Sequence, residues 1–232
     1  MREIVLDTET TGLDPHMGHR IVEIGCIELK NHIPTGEKYH VYVNPRRDMP
    51  EEAFKVHGLG DDFLKEHPPF EDHVDSFLEF VKHDRLIIHN ARFDMKFLNA
   101  ELEWAGRKPL PFKQALDTLR MAREKFPGSP ASLDALCKRF KIDNSNRTLH
   151  GALLDSELLA EVYLELIGGA QPDFMGSAGS SADHENKKAE LVTVIERQIR
   201  KAREFKLTES EVEQHKELLK KLKNPIWEKE AC

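Results

Sequence analysis

The feature that most constrains the fold is a short apolar triplet, Leu86-Ile87-Ile88, lodged between two stretches with helical periodicity. Upstream, Phe70, Val74, Phe77, Leu78 and Val81 fall at offsets 0, 4, 7, 8 and 11, which makes one apolar stripe. Downstream, Phe93, Phe97, Leu98, Leu102 and Ala105 again follow helical spacing. The triplet between them reads as a buried strand. Three further strands precede it, Ile4-Val5-Leu6, Ile21–Leu29 and Lys38–Val43. The turn-rich run Asn31-His32-Ile33-Pro34-Thr35-Gly36 joins the last two and suits a hairpin. Leu116 falls at the end of another strand. Helices are expected over Leu119–Phe126, over Ser132–Phe140 with Ser132 as N-cap, and from Gly151 to Ile167. Strands first, then helices alternating with single strands, predict an α/β domain with a mixed sheet flanked by helices, ending near Gly168-Gly169.

Beyond residue 169 the texture changes. Residues 170–186 have linker composition, rich in Gly, Ser, Ala and Pro between Ala170 and Ala182. In residues 187–232, Leu191, Val194, Ile195, Ile199, Ala202 and Phe205 mark one amphipathic helix. Thr208-x-x-Glu211 is a capping box opening a second, with Val212, His215, Leu219 and Leu222 on one side. Two short helices bury little by themselves, so this tail calls for a partner. The expected division is 1–169, 170–186 and 187–232. No apolar run approaches the ~18 residues of a membrane span, and the start of the chain lacks a signal-peptide stretch. Cys26, Cys137 and Cys232 form no Cys-x-x-Cys pair, which argues against structural zinc and points to a reducing compartment, the cytoplasm.

The net charge of −7 counts at first against a polyanionic partner. Its distribution refines this: residues 183–232 carry 12 Lys/Arg and 11 Asp/Glu, leaving 22 and 30 in residues 1–182. An acidic domain engages a polyanion only if its acidic cluster holds metal, because bound divalent ions reverse the local field.

Three elements carry candidate chemistry. Asp7 and Glu9 lie two apart at a strand end, so they share a face. Two carboxylates that close repel unless a divalent cation sits between them, and hard oxygen donors suit Mg²⁺ or Mn²⁺. An exposed acidic strand end would read the same way. Thr10-Thr11-Gly12 follows, a small-residue turn where backbone can approach a ligand. The second element, His89-Asn90-Ala91-Arg92-Phe93-Asp94, follows a strand and opens a helix. It places Asp94 in a first turn near the carboxyl edge of the sheet, where a carboxylate also simply favours the helix dipole. The third is His150-Gly151-Ala152-Leu153-Leu154-Asp155. Five positions turn a helix by about 140°, so Asp155 belongs on the helix and His150 on the polar segment before it.

Together these motifs resemble the signature of the DEDD exonuclease superfamily, in its histidine subgroup. The wider match is similar to the proofreading epsilon subunits of bacterial DNA polymerase III. It runs through Ile4–Gly12, Ala53–Gly58, Ser132–Cys137 and Arg147–Asp155 and covers residues 3–169. The resemblance implies a ribonuclease H-like fold and 3′→5′ hydrolysis of a DNA end, releasing nucleoside 5′-monophosphates. It implies two divalent ions held by Asp7, Glu9, Asp94 and Asp155, and His150 as general base. Thr10, Thr11, Gly12, Leu13, Val56, His57 and Phe93 become candidates for cradling the terminal nucleotides, although His57 also reads as a loop histidine and Phe93 as core. It further implies that the tail, with its Leu191–Phe205 helix and Trp227, docks on the polymerase catalytic subunit, tethered by a linker spanning ~20–25 Å. Gln171-Pro172-Asp173-Phe174-Met175 loosely resembles the peptide that docks on sliding clamps, with a mismatch at its second position. Two other readings stay open: an RNA-trimming enzyme, because ribonuclease T and oligoribonuclease are similar at the same motifs, and a replisome scaffold.

Overall fold

The computed structural model describes residues 1–145, 149–169 and 208–221. The chain divides into two units, residues 1–177 and 178–232. The first holds a five-stranded sheet in the order β3-β2-β1-β4-β5: β1 Arg2–Thr10, β2 Ile21–Lys30, β3 Ile33–Tyr42, β4 Arg85–Ile88 and β5 Ala115–Asp117. The β1–β2 and β2–β3 pairings are antiparallel; β1–β4 and β4–β5 are parallel. Seven helices accompany the sheet among the described residues of this unit: α1 Glu51–His57, α2 Asp61–Leu64, α3 Phe70–Val81, α4 Ala91–Trp104, α5 Thr118–Lys125, α6 Leu133–Phe140 and α7 Ala152–Leu166. This is the mixed α/β layering expected from the alternation of strand and helix patterns.

Alternation along β1 sends its side chains to two different cores. Ile4 and Leu6 pack with Phe70, Phe77, Phe97 and Leu98 under α3 and α4. Val5 packs with Ile87, Leu159 and Tyr163 under α7. A third cluster joins α5 and α6 to α7 through Ala122, Leu136 and Val162. With apolar layers on both faces, the central strands are fully buried, which accounts for the unbroken Leu86-Ile87-Ile88 triplet.

Three local expectations are corrected. The β2–β3 connection is only Asn31 and His32, both at positive φ (53° and 67°), the geometry a two-residue hairpin demands. Ile33–Gly36 therefore belongs to the strand, and a register shift opposite Ile27–Leu29 absorbs the irregularity. Next, β1 does not leave the sheet at Asp7, because β2 continues to pair with it through Asp7↔Gly25 and Glu9↔Glu23. Finally, α1 and α2 were not expected at all. Helix α1 starts after Pro50 with no side-chain N-cap, so its start lacks the usual capping signal, and it stops at Gly58 with φ 75°.

The second unit has one described element, α8 Glu209–Lys221. Thr208 begins it as the capping box predicts: its N–H donates to Glu211 Oε2 at 2.8 Å. Val212 and Leu218 on it are exposed. The Leu191–Phe205 helix, Leu222, Trp227, the linker and residues 171–175 lie outside the described residues. Among the described residues no helix is long and apolar enough to cross a membrane.

Candidate active site

The site grows out of unequal pairing along β1. Strand β2 runs beside it as far as Thr10, but β4 pairs only with Glu3, Ile4 and Val5. Past Val5 the other edge of β1 is open. Into that opening comes the first turn of α4. The Thr8 N–H, with no strand partner there, donates to Asp94 Oδ1 at 3.1 Å, and Thr8 Oγ1 donates to the same oxygen at 2.7 Å. A register shift between Glu9 and Thr10 turns the strand just beyond, as bulges beside functional sites often do.

Asp7 and Glu9 project to the opposite face from Thr8, toward α7. Their partner there is Asp155 in the first turn of α7, buried and three residues past the helix's first residue, Ala152. Gly25 makes this approach feasible. A Cβ at Gly25 would lie 2.3 Å from the Ala152 carbonyl carbon, so helix and strand touch backbone to backbone. Ser156 Oγ donates to the Gly25 carbonyl at 2.9 Å and pins the same turn. His150 stands just before α7. Its N–H donates to the Val56 carbonyl at 3.0 Å, and its Nδ1 is 3.3 Å from Asp155 Oδ2. The half-exposed imidazole is thus tied to α1 by backbone and to α7 by its ring.

All five residues named as catalytic line one cleft of about 630 Å³. Their proximity has an electrostatic consequence. Burial, then the charges of Asp94, Glu9 and Asp155, push the Asp7 carboxyl well above the usual carboxylate range. Burial pushes Asp94 up to about 7, against the lowering pull of Thr8. Crowded, desolvated carboxylates of this kind are costly without a counter-charge. Glu9, His150 and Asp155 each offer an atom within 4.8 Å of the others. Two carboxylates and an imidazole at this spacing fit a divalent cation.

A second cleft of about 490 Å³ adjoins the first and shares Thr8, Glu9 and Phe93 with it. It is lined by every residue proposed to cradle nucleotides: Thr10, Thr11, Gly12, Leu13, Val56, His57 and Phe93. Its floor is well anchored. Thr10 Oγ1 donates to the Gly12 carbonyl at 2.6 Å, and Gly12 has no room for a Cβ against the His19 ring. Its lip is apolar, with Leu13 83% exposed, Val56 half-exposed and Met17, absent from the sequence expectation, 76% exposed. His57 is buried, with Nδ1 accepting from the Leu59 N–H at 3.1 Å; burial lowers its pKa.

The match of the chain to known families agrees with this arrangement. The RNase T family, described as exonuclease, matches residues 4–163. The chain belongs to the exonuclease family. Among its exonuclease relatives, DNA polymerase III subunit epsilon of Rickettsia felis is 51% identical over 228 residues, 94% of this chain and 96% of the relative. The Escherichia coli subunit of the same name is 42% identical over 221 residues, 92% and 90% of the two chains. A solved nuclease domain of 3′hExo, a DEDDh family member bound to rAMP, shares the fold with a TM-score of 0.62 at 20% identity, over 72% of this chain and 91% of that one. Exonuclease X in complex with 5′ overhanging duplex DNA gives a TM-score of 0.57 at 24% identity, over 71% and 90%.

Several supporting residues of this exonuclease went unremarked in the sequence. Asp117 caps α5, accepting from Leu119 N–H at 2.9 Å, and also accepts from the Asn90 N–H at 3.1 Å. It thereby fixes the left-handed Asn90 turn (φ 68°) that launches α4 and Asp94. An Asp just before an apolar helical run is a legible cap signal. Glu23, directly opposite Glu9, is buried and held 2.7 Å from His40 Nε2. A charged residue within the otherwise apolar Ile21–Ile27 run was its only mark.

Proposed function

We propose that this exonuclease removes nucleotides one at a time from a DNA 3′ end as the proofreading partner of a replicative polymerase. One observation carries the reading: carboxylates from β1, α4 and α7 meet the His150 imidazole in a single cleft beside a second, apolar-lipped cleft. Asp7, Glu9, Asp94 and Asp155 would hold two divalent ions, Mg²⁺ or Mn²⁺. When bound, such ions neutralise phosphate charge and lower the pKa of water.

The side chains divide the remaining work. The apolar cleft between Leu13, Val56 and Phe93 takes the terminal base, while the Thr10–Gly12 turn and His57 offer polar contacts to its sugar. This places the terminal phosphodiester over the carboxylates. His150, with Nδ1 turned to Asp155, takes the proton of the attacking water at Nε2. The water oxygen bonds to phosphorus, the bond to the neighbouring 3′-oxygen breaks, and that oxygen is protonated from solvent. The products are a nucleoside 5′-monophosphate and a strand shorter by one.

DNA is favoured over RNA because the similarity to DNA polymerase III epsilon subunits extends over 94% of the chain, well past the nuclease domain. The tail would dock on the polymerase catalytic subunit in that setting, in the cytoplasm; residues 171–175 are the candidate contact for a sliding clamp. Digestion of matched single-stranded DNA and RNA with Mg²⁺, with and without chelator, tests the reading. DNA degraded faster from its 3′ end, and only without chelator, is expected. Faster loss of RNA would make this an exoribonuclease, and no hydrolysis of either would leave the scaffold role.

A further inference from the structure

The main cleft is longer than the proposed chemistry requires. Beyond Phe93 it continues past His89 to Leu119 and Arg123 on α5 and to the Ser129–Ser132 connection before α6. If the terminal base occupies the apolar cleft and the scissile phosphate lies over the carboxylates, the strand must leave along this arm. The two clefts meet only at Thr8, Glu9 and Phe93, so this polarity follows from their layout. We infer that the arm is a seat for the phosphodiester backbone upstream of the scissile bond, with Arg123 as its charged contact. The inference rests on the exonuclease reading and extends it to the substrate path.

Charge makes the assignment specific. The lining contains five carboxylates, Asp7, Glu9, Asp94, Asp134 and Asp155, and Arg123 is the only Lys or Arg in it among the described residues. A strand of phosphates leaving such a cleft needs a cation at this point. Arg123 is exposed and forms no ion pair among the described residues, whereas its α5 neighbour Arg120 is engaged by Glu124 at 2.9 Å. Its side chain lines the arm together with His89, whose pKa is lowered by burial and further by the nearby Arg123 charge. A planar guanidinium fits two phosphate oxygens at once. The lining of the same cleft also includes the small residues Ser129, Pro130, Ala131 and Ser132. The Ser132 hydroxyl accepts from the Ala135 N–H at 3.3 Å and keeps its own proton to donate.

The test compares two substrates on the full chain. The p-nitrophenyl ester of thymidine 5′-monophosphate has a scissile phosphodiester and no upstream strand; a single-stranded oligodeoxynucleotide of about ten residues has both. Arg123→Ala should lower kcat/KM for the oligonucleotide relative to the ester by about five- to tenfold, through KM. The slope of log KM against log salt should shrink by about 0.7, the loss of one single-strand phosphate contact. Arg123→Lys, which keeps the charge but not the fork, should restore the salt slope and only part of the ratio, and Arg120→Ala on the same helix should not move it. Equal effects of Arg123→Ala on both substrates, or no effect on either, would overturn the assignment. A wild-type chain inactive on both substrates would instead remove the exonuclease reading beneath it, and is seen before any variant is made.

Discussion

Asp94 is buried, and as a proposed cation ligand it would have to be ionised there, yet burial pushes its carboxyl up to about 7. Asp7 is displaced the same way, by burial and by four neighbouring carboxylates, Asp94, Glu9, Asp155 and Glu23. A carboxylate raised in the folded state binds protons more tightly there than in the unfolded chain. Its stabilising contribution is therefore present at low pH and lost as pH rises through the folded value. The metal-free exonuclease should accordingly lose stability between about pH 4 and about pH 7. Thermal melts in chelator should show a higher Tm at pH 5 than at pH 8, with Mg²⁺ at pH 8 recovering the loss; a Tm that climbs with pH in chelator contradicts this. Removing the repelling pair should cost function and not fold: Asp7→Ala with Glu9→Ala should abolish hydrolysis with an undiminished Tm, and normal turnover would refute the ligand assignment. His150→Ala should slow hydrolysis by ~10²–10⁴-fold, the usual reach of a general base. A loss under tenfold would show that another group takes the proton.

At the level of elements, placement of Asp155 depends on how closely α7 lies against β2. Gly25→Ala sets a methyl 2.3 Å from the Ala152 carbonyl carbon, which can be relieved only by moving the helix. Overpacking of this kind costs about 1–3 kcal/mol. Gly25→Ala should lower both Tm and kcat, whereas Ser156→Ala, which removes one hydrogen bond to the same strand, should cost about 1 kcal/mol and leave turnover nearly intact. An unchanged kcat in Gly25→Ala would mean that α7 is not held by this contact. Elements with strong periodic patterns were legible in advance: the β4 triplet, the α4 stripe and α7 all fall where spacing puts them. So was the separation of His150 from the helix bearing Asp155, which follows from helical geometry alone. What escaped was local and weakly marked. Helix α1 is short, and the two-residue turn at Asn31-His32 is fixed by backbone φ rather than by a Gly. The convergence of the four carboxylates could not be read from pattern at all, since it depends on β4 stopping its pairing at Val5; it came from family resemblance.

For the whole molecule, residues 1–182 are acidic and residues 183–232 nearly neutral, a contrast that suits the proposed split between editing and docking. The tail's capping box was legible because it is a local exchange between Thr208 and Glu211; the proposed docking partner was not, since docking would depend on a surface elsewhere. A chain ending at Gly169 should still digest single-stranded DNA at a rate within a few-fold of the full protein, but should no longer co-purify with the polymerase catalytic subunit. Retained co-purification would move the docking surface onto the nuclease domain. All of this depends on carboxylates from three distant stretches acting together on divalent ions. A Mn²⁺ titration of the full chain, read by calorimetry, addresses that directly. The account predicts two ions bound per wild-type chain and loss of that binding in the Asp7→Ala, Glu9→Ala variant. Equal stoichiometry and affinity in the two proteins would contradict it.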